Sequence, residues 1–159
     1  MQRWVRVFLM SGIGLALGLC GCRPPATPTA PPPPYQVEGA LVRAVLPYQQ
    51  LDRAVCEWDI LGQEAEAVFL WVVCFGHYRQ AGVGETAVSL PVRVEVDAQK
   101  QAVRVILPRD GADYAPSVRA MFPPEVAQRA LTYTSPAVAQ RAEARLTRPD
   151  LPPLSAWLP

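Results

Sequence analysis

The sequence predicts an α+β domain in which an N-terminal helix packs on a four-stranded antiparallel sheet, followed by short C-terminal helices. Apolar residues recur at three- and four-residue steps over residues 37–55, and they alternate with polar residues along the segments up to residue 107. Short segments that begin at proline or serine follow. Helical and strand patterns that occupy separate blocks are typical of α+β proteins. About 125 residues after position 34 are enough for one hydrophobic core.

The first predicted element is a helix. Its apolar face contains Val37, Leu41, Ala44, Val45, Tyr48, Leu51 and Val55. Three- and four-residue spacing places such side chains on one face of a helix. Pro47 lacks a backbone donor and crowds the preceding turn, so we expect a kink or two short helices that meet near Leu46.

Two strands, residues 57–61 and 68–75, are predicted next, because both segments are apolar and the polar residues 62–66 separate them. If the turn is centred on Ala65, the opposed pairs are Cys56 with Cys74, Trp58 with Val72 and Ile60 with Leu70. The second strand is apolar on both faces. Such a strand is usually central, or its outer face is covered.

The opposed cysteines predict a disulfide between Cys56 and Cys74, since two lone cysteines commonly pair in an oxidising compartment. Closing a loop of about 19 residues would stabilise the domain by about 3 kcal/mol. The alternatives are two buried free thiols or half of a metal site. Zinc is not favoured because His77 is the only histidine in the chain.

A polar, glycine-rich connection is predicted over residues 76–85, which include His77 and Tyr78. The clearest alternation follows, with Val88, Leu90, Val92, Val94 and Val96 on one face. A four-residue loop, 97–100, then places Val94 opposite Val103, Val92 opposite Val105 and Leu90 opposite Leu107. Pro91 has no amide hydrogen to donate, so either its nitrogen faces away from a ladder of hydrogen bonds or the strand is locally an edge.

Short helices are predicted at about residues 116–121, 124–131 and 136–146, with Ser135 capping the third and Pro136 at its first position. The third helix has a thin apolar stripe, so we expect it to pack weakly. Residues 148–159 are rich in proline and predict an irregular tail, whose docking the sequence leaves open.

The N-terminus indicates export. Arg3 and Arg6 precede an apolar segment, residues 7–19, that is too short to span a bilayer as a stable helix. The sequence Leu19-Cys20-Gly21-Cys22 resembles the lipobox of bacterial lipoproteins. The resemblance implies that residues 1–21 are a signal peptide, that the Cys22 thiol receives diacylglycerol carrying acyl chains such as palmitate, and that cleavage follows Gly21. An ordinary secreted protein cut near Gly21, or an uncleaved anchor, is the alternative.

Residues 22–34 are predicted to link the lipid to a single domain, residues 35–147. Proline-rich chain prefers an extended conformation of about 3.1 Å per residue, which would hold the domain on the order of 35 Å from the lipid surface. We therefore expect the protein in the cell envelope. It would be anchored on the outer side of the cytoplasmic membrane, or in the outer membrane of a source with two membranes.

Composition excludes several functions. The first 21 residues contain two of the 15 basic residues and none of the 14 acidic ones, so the mature chain is close to neutral. A near-neutral chain without a basic stripe argues against nucleic acid as a partner. We find no glycine-rich phosphate loop after a strand and no metal-ligand spacing. No cofactor, metal or catalytic residue is predicted.

The order of elements is similar to that of cystatin-like and NTF2-like domains. Residues 71–131 also resemble small extracytoplasmic domains of bacterial lipoproteins and sensors, through the strand containing Trp71, the turn Pro108-Arg109-Asp110-Gly111 and the segment Phe122-Pro123-Pro124-Glu125-Val126. This resemblance implies no catalytic residue. We expect a binding or accessory module for an envelope protein or a small ligand.

The residues predicted for binding are Phe69, Trp71, His77 and Tyr78. The alternative function is an envelope-associated hydrolase that uses the His77 loop, which would require His77, Asp110 or Glu57 to meet in one cleft.

Overall fold

The computed structural model describes residues 34–158, and side chains from residue 37. Four helices and a four-stranded antiparallel sheet confirm the α+β class. The helices and strands, in chain order, are α1 Pro34–Val45, β1 Leu51–Gln63, β2 Ala67–Tyr78, β3 Glu85–Val96, β4 Ala102–Ile106, α2 Tyr114–Met121, α3 Pro124–Thr132 and α4 Pro136–Leu146. None of the helices in this part of the chain has the length and apolar character needed to cross a membrane.

The strands follow one another in the sheet in chain order, so β1 and β4 lie at its edges. The predicted register of β1 and β2 is confirmed, with Cys56 opposite Cys74, Trp58 opposite Val72 and Ile60 opposite Leu70. Beyond Ile60 a bulge changes the register. The disulfide between Cys56 and Cys74 is present, and both residues are fully buried.

The prediction that the first helical pattern continues to Val55 is wrong. Helix α1 ends at Val45, and Leu51 and Val55 lie in β1. Residues four positions apart share a face in a helix and also in a strand, so this spacing fits both structures. Pro47, which follows the end of α1, cannot continue the helical hydrogen bonding.

The predicted connection over residues 76–85 is much shorter in the structure. Strand β2 continues to Tyr78 and β3 begins at Glu85. Gly82 and Gly84 adopt φ angles of 82° and 88° between the two strands. His77 therefore lies in a strand, opposite Arg53 in β1 and Glu85 in β3.

The predicted register of the second hairpin is wrong by one residue at Val96 and by two at Val94, since the register shifts between Glu95 and Val96. Val94 lies opposite Val105, and Val96 lies opposite Ala102. The loop is longer than predicted because Asp97 Oδ1 accepts hydrogen bonds from the amides of Gln99 and Gln101, at 2.9 and 2.8 Å. Lys100 takes the left-handed conformation, with φ of 62°. As a result, β4 pairs only with residues 93–96 of β3.

The sheet carries helices on both faces. Helix α1 packs on the face of Cys56, Leu70 and Val92, and the C-terminal residues Leu154 and Leu158 are buried on the same face, so the tail docks. Helices α2 and α3 cover Phe69, whereas α4 covers Val55 and Val73.

The expectation that α4 packs weakly is wrong. Val138, Ala142 and Leu146 are at most 3% exposed. These side chains lie three or four residues apart, so they form one stripe along the helix. The small side chain of Ala142 within that stripe allows the helix to approach the sheet closely.

Candidate functional site

The residues predicted for binding lie in different environments. Phe69 is 1% exposed, and its ring centroid is 5.3 Å from that of Phe122, so it belongs to the core. Trp71, His77 and Tyr78 are partly exposed. The predicted lipidation site, Cys22, lies outside the described residues. Phe69 therefore packs beneath α2 and α3, whereas Trp71 and Phe75, on the same face of β2, are partly exposed.

A surface groove of about 410 Å³ lies beside Trp71. Its lining residues are Trp71, Val73, Phe75, Ala87, Val88, Ser89, Thr134, Ser135, Pro136 and Ala139, and we call it the Trp71 groove. Helix α4 packs on β1 and β2, whereas the main neighbours of β3 in the described chain are the strands beside it. The face of β3 next to α4 is therefore left open, and this opening is the groove. Most of its walls are apolar, and its polar side-chain groups are the Trp71 indole and the hydroxyls of Ser89, Thr134 and Ser135.

Two contacts fix the indole that forms the wall of the groove. Trp71 Nε1 donates a hydrogen bond to Ser89 Oγ at 3.1 Å. The ring centroid lies 5.3 Å from that of Tyr133, with an interplanar angle of 40°. Such tilted aromatic pairs contribute roughly 0.5–1.5 kcal/mol beyond their buried area. The groove is therefore preformed in the free domain.

Tyr133 is held in turn by a carboxylate on β1. The Tyr133 hydroxyl and the Ser135 hydroxyl both donate to Asp59 Oδ2, the latter at 3.2 Å. Arg141 Nη2 donates to Oδ1 at 2.9 Å. The Tyr133 hydroxyl is the main cause that holds the pKa of Asp59 below 3.8, and Arg141 and Ser135 add to the effect.

The same contact raises the pKa of the Tyr133 hydroxyl above 10, and burial adds to the shift. Asp59 therefore stays ionised and Tyr133 stays protonated near neutral pH. A carboxylate that already accepts three hydrogen bonds is poorly suited to remove a proton from a substrate. Asp59 instead fastens the connection between α3 and α4 to the sheet.

A second ionic cluster lies next to Asp59. Arg141 Nε contacts Glu57 Oε2 at 3.4 Å, and Arg145 Nη1 donates to Glu57 Oε1 at 2.6 Å. Arg145 Nη2 donates to Glu38 Oε2 at 3.0 Å, and Glu38 Oε1 accepts the amide hydrogen of Cys56 at 2.9 Å. Each carboxylate is occupied by arginine, so the cluster joins α1, β1 and α4 without leaving a free acid or base.

The residues considered for catalysis do not meet. His77 Nδ1 lies 3.5 Å from Glu85 Oε1. Glu57 is opposite Val73, four residues before His77 on β2, which corresponds to about 13 Å along the strand. Asp110 precedes a single 3₁₀ turn, Gly111–Asp113, and makes no side-chain hydrogen bond to it. Residues 34–158 contain no cluster of three His, Cys, Asp or Glu side chains suited to a metal ion.

The sequence did not identify the cluster of Asp59, Tyr133, Ser135 and Arg141, and Ser135 was predicted only to cap α4, where its side chain makes no cap hydrogen bond. Asp59 lies 74 residues from Tyr133 and 82 from Arg141 in the chain, so no local pattern links them. Two features could have suggested this cluster, an aspartate between the apolar residues Trp58 and Ile60 of β1 and two arginines four residues apart on α4. No protein-family model, curated protein or solved structure gives a significant match to this chain.

Proposed function

We propose that this protein is a lipid-anchored, extracytoplasmic binding or accessory module, and that the Trp71 groove is its binding surface. The observation that supports the proposal is a preformed apolar groove whose lining residues include no acid or base. Binding sites are typically concave and mostly apolar, with a few polar groups that orient the ligand. In the Trp71 groove, the hydroxyls of Ser89, Thr134 and Ser135 supply such groups.

The anchor in this proposal is the lipid on Cys22, as the sequence Leu19-Cys20-Gly21-Cys22 predicts. With the predicted linker, residues 22–34, as a spacer, the domain would meet partners on the envelope side of the membrane. We also propose that the helix-on-sheet part of the fold is organised as in cystatin-like and NTF2-like domains, because α1 and the sheet follow that order.

The partner is an envelope protein or a small apolar ligand. A groove of about 410 Å³ falls within the usual range of small-ligand sites, roughly 300–1,000 Å³, and also accommodates the side chains of a peptide. His77 lies two residues beyond Phe75 on β2, on the same face and at one end of the groove, whereas Tyr78 packs on the opposite face, against the core under α1. The hydrolase alternative has only the contact between His77 and Glu85 in its favour, so we do not adopt it.

The proposal is tested by crosslinking in the native envelope. A photoreactive amino acid replaces Ala139, which lines the groove, and in a control protein it replaces Gln99, which is exposed in the loop between β3 and β4. Intact mass after irradiation distinguishes a protein adduct from a small-ligand adduct. We expect a discrete adduct at position 139 that is absent at position 99. No adduct, or the same adducts at both positions, contradicts the proposal.

A further inference from the structure

The edge of the sheet at β1 and the exposed part of β3 differ in whether their backbone amide and carbonyl groups are hydrogen-bonded. Along β1, side chains bind the backbone amide and carbonyl groups that point away from β2. Besides the Cys56 amide bound by Glu38, arginines donate to carbonyl oxygens, namely Arg145 to Cys56 at 3.2 Å, Arg141 to Trp58 at 3.3 Å, Arg129 to Leu61 at 2.6 Å and Arg79 to Leu51 at 3.1 Å. An edge strand whose backbone groups are occupied cannot accept another strand.

Strand β3 differs, because β4 pairs only with residues 93–96. Residues 85–91 pair with β2 on one side, and no strand of the described chain pairs with them on the other. The amide and carbonyl groups of Cys56 point away from β2. In an antiparallel pair, the amide and carbonyl groups of the opposed residue then also point away, so those of Cys74 point towards β3.

By the same alternation, the backbone groups of Glu85, Ala87 and Ser89 point outwards. These three residues are exposed, whereas the residues between them are half-buried. Pro91 occupies the next outward position, where a residue without an amide hydrogen leaves no donor unsatisfied. We call this exposed side of residues 85–89 the β3 edge.

The β3 edge borders the Trp71 groove. Ala87 and Ser89 belong to the β3 edge and also line the Trp71 groove, because their side chains point to the face that α4 covers only in part. A strand added to the edge would place alternate side chains over the groove. The apolar walls formed by Trp71 and Phe75 would then contact a large apolar side chain of the added strand.

One end of the groove is acidic. The Glu85 side chain is 53% exposed, and its only ion-pair partner among the described residues is His77. Glu143 is exposed one turn after Ala139, and residues four apart share a helix face, so Glu143 borders the groove beyond Phe75. Two carboxylates without an arginine or lysine partner favour a positively charged ligand group.

We propose that an extended segment of a partner protein binds at the β3 edge as a fifth strand. A large apolar side chain of the segment fills the Trp71 groove, and a lysine or arginine two residues away faces Glu85 and Glu143. This inference depends on the proposed function, since it specifies how the same groove is used. A second copy of this chain fits poorly, because its own β3 edge would bring the small side chains of Ala87 and Ser89 and another acidic residue, Glu85.

The test is selection of random twelve-residue peptides on the full-length protein in detergent. We expect enriched peptides that have a large apolar residue and a basic residue two positions apart. In these peptides, N-methylation of the backbone amides that face β3 should weaken binding about tenfold or more, since each methyl group removes a hydrogen bond to the edge. N-methylation of the intervening amides is the control and should have little effect.

Variants of the protein test the same contact. Ala87→Pro removes an outward donor and should weaken binding several-fold, whereas Ala87→Ser retains the amide and is the matched control. Glu143→Lys should disfavour the basic peptides. A thermal unfolding curve shows whether Ala87→Pro is folded, and the peptide methylation series does not depend on that variant.

Several outcomes overturn the inference. They are no enriched peptide, equal affinity for both methylated series, or self-association of the protein through the β3 edge. If crosslinking at position 139 succeeds but both methylated peptide series bind with equal affinity, strand addition is wrong and the proposed binding function stands. If crosslinking at position 139 also fails, both are wrong.

Discussion

Glu38 on α1 accepts the amide hydrogen of Cys56 on β1, at a distance of 2.9 Å. Its other carboxylate oxygen accepts a hydrogen bond from Arg145 on α4, at 3.0 Å. The Glu38 residue is 1% exposed. Because α1 and α4 lie on opposite faces of the sheet, this carboxylate joins both helical layers around the edge of β1. It also occupies an amide that another strand could otherwise bind.

We expect Glu38→Gln to destabilise the domain by about 2–4 kcal/mol, because the amide retains an acceptor for Cys56 but leaves the charge of Arg145 without its buried partner. The free energy of unfolding from a urea titration measures this effect. The control is Arg104→Gln, which removes a surface ion pair with Glu95 and should cost at most about 1 kcal/mol. Equal costs for the two variants would contradict the buried role of Glu38.

The hydrogen bond between Tyr133 and Asp59 should stabilise the fold over a defined pH range. The pKa of Asp59 is lowered, so its contribution is present above about 3.8 and is lost as the pH falls below that value. The pKa of Tyr133 is raised, so its contribution is present below about 10 and is lost as the pH rises through the higher folded value.

Tyr133→Phe should therefore cost about 1 kcal/mol at neutral pH, and the difference from the parent should shrink in acid. Urea titrations of both proteins from about pH 5 to about pH 2 measure this change. Ser117→Ala, which removes a hydroxyl remote from Asp59, is a control whose cost should not follow this pH profile. A difference for Tyr133→Phe that stays constant with pH would show that the bond does not depend on the Asp59 charge.

Gly76 provides a test of the strand assignment around His77. A methyl group at this position would lie 2.5 Å from Leu51 Cδ1. We expect Gly76→Ala to cost roughly 1–3 kcal/mol through overpacking. Part of that cost should be relieved when Leu51→Ala is present, which a double-mutant cycle measures. No coupling between the two substitutions would place Gly76 away from Leu51.

The intact mass of the mature protein extracted from its native membrane tests the anchor and the disulfide together. We expect a chain that begins at Cys22 and carries acyl chains, with two thiols that alkylate only after reduction. A lipid-free mass would remove the anchor from the proposed function. Two thiols that alkylate before reduction would contradict the bond between Cys56 and Cys74.

Local sequence patterns predicted the parts of the fold that depend on neighbouring residues. The Cys56 and Cys74 pair followed from alternation on two strands and a short turn. The β3 and β4 register did not, because it depends on Asp97 accepting two loop amides and on the positive φ of Lys100. The assignment of Leu51 to a helix failed because its spacing from Val55 fits helix and strand alike.

The candidate site was predictable only in part. Trp71 was identified from its place in a strand that is apolar on both faces, but the covering of Phe69 by α2 and α3 depends on segments more than 40 residues later. The two carboxylates assigned to the acidic end of the groove, Glu85 and Glu143, come from β3 and α4, and the docking of α4 on this face of the sheet was not predicted. That docking depends on a narrow apolar stripe, Val138, Ala142 and Leu146. Because the stripe is so narrow, the sequence predicted only weak packing of α4.

Amide hydrogen exchange of the free protein, read residue by residue by NMR, tests the difference between the two sides of the sheet most directly. The Cys56 amide is bound by the buried Glu38 carboxylate and should exchange slowly, whereas the amides of Ala87 and Ser89 should exchange rapidly although they lie within a strand. Ala87 and Ser89 amides as protected as that of Cys56 would show that the β3 edge is already occupied and would contradict its use as a binding surface.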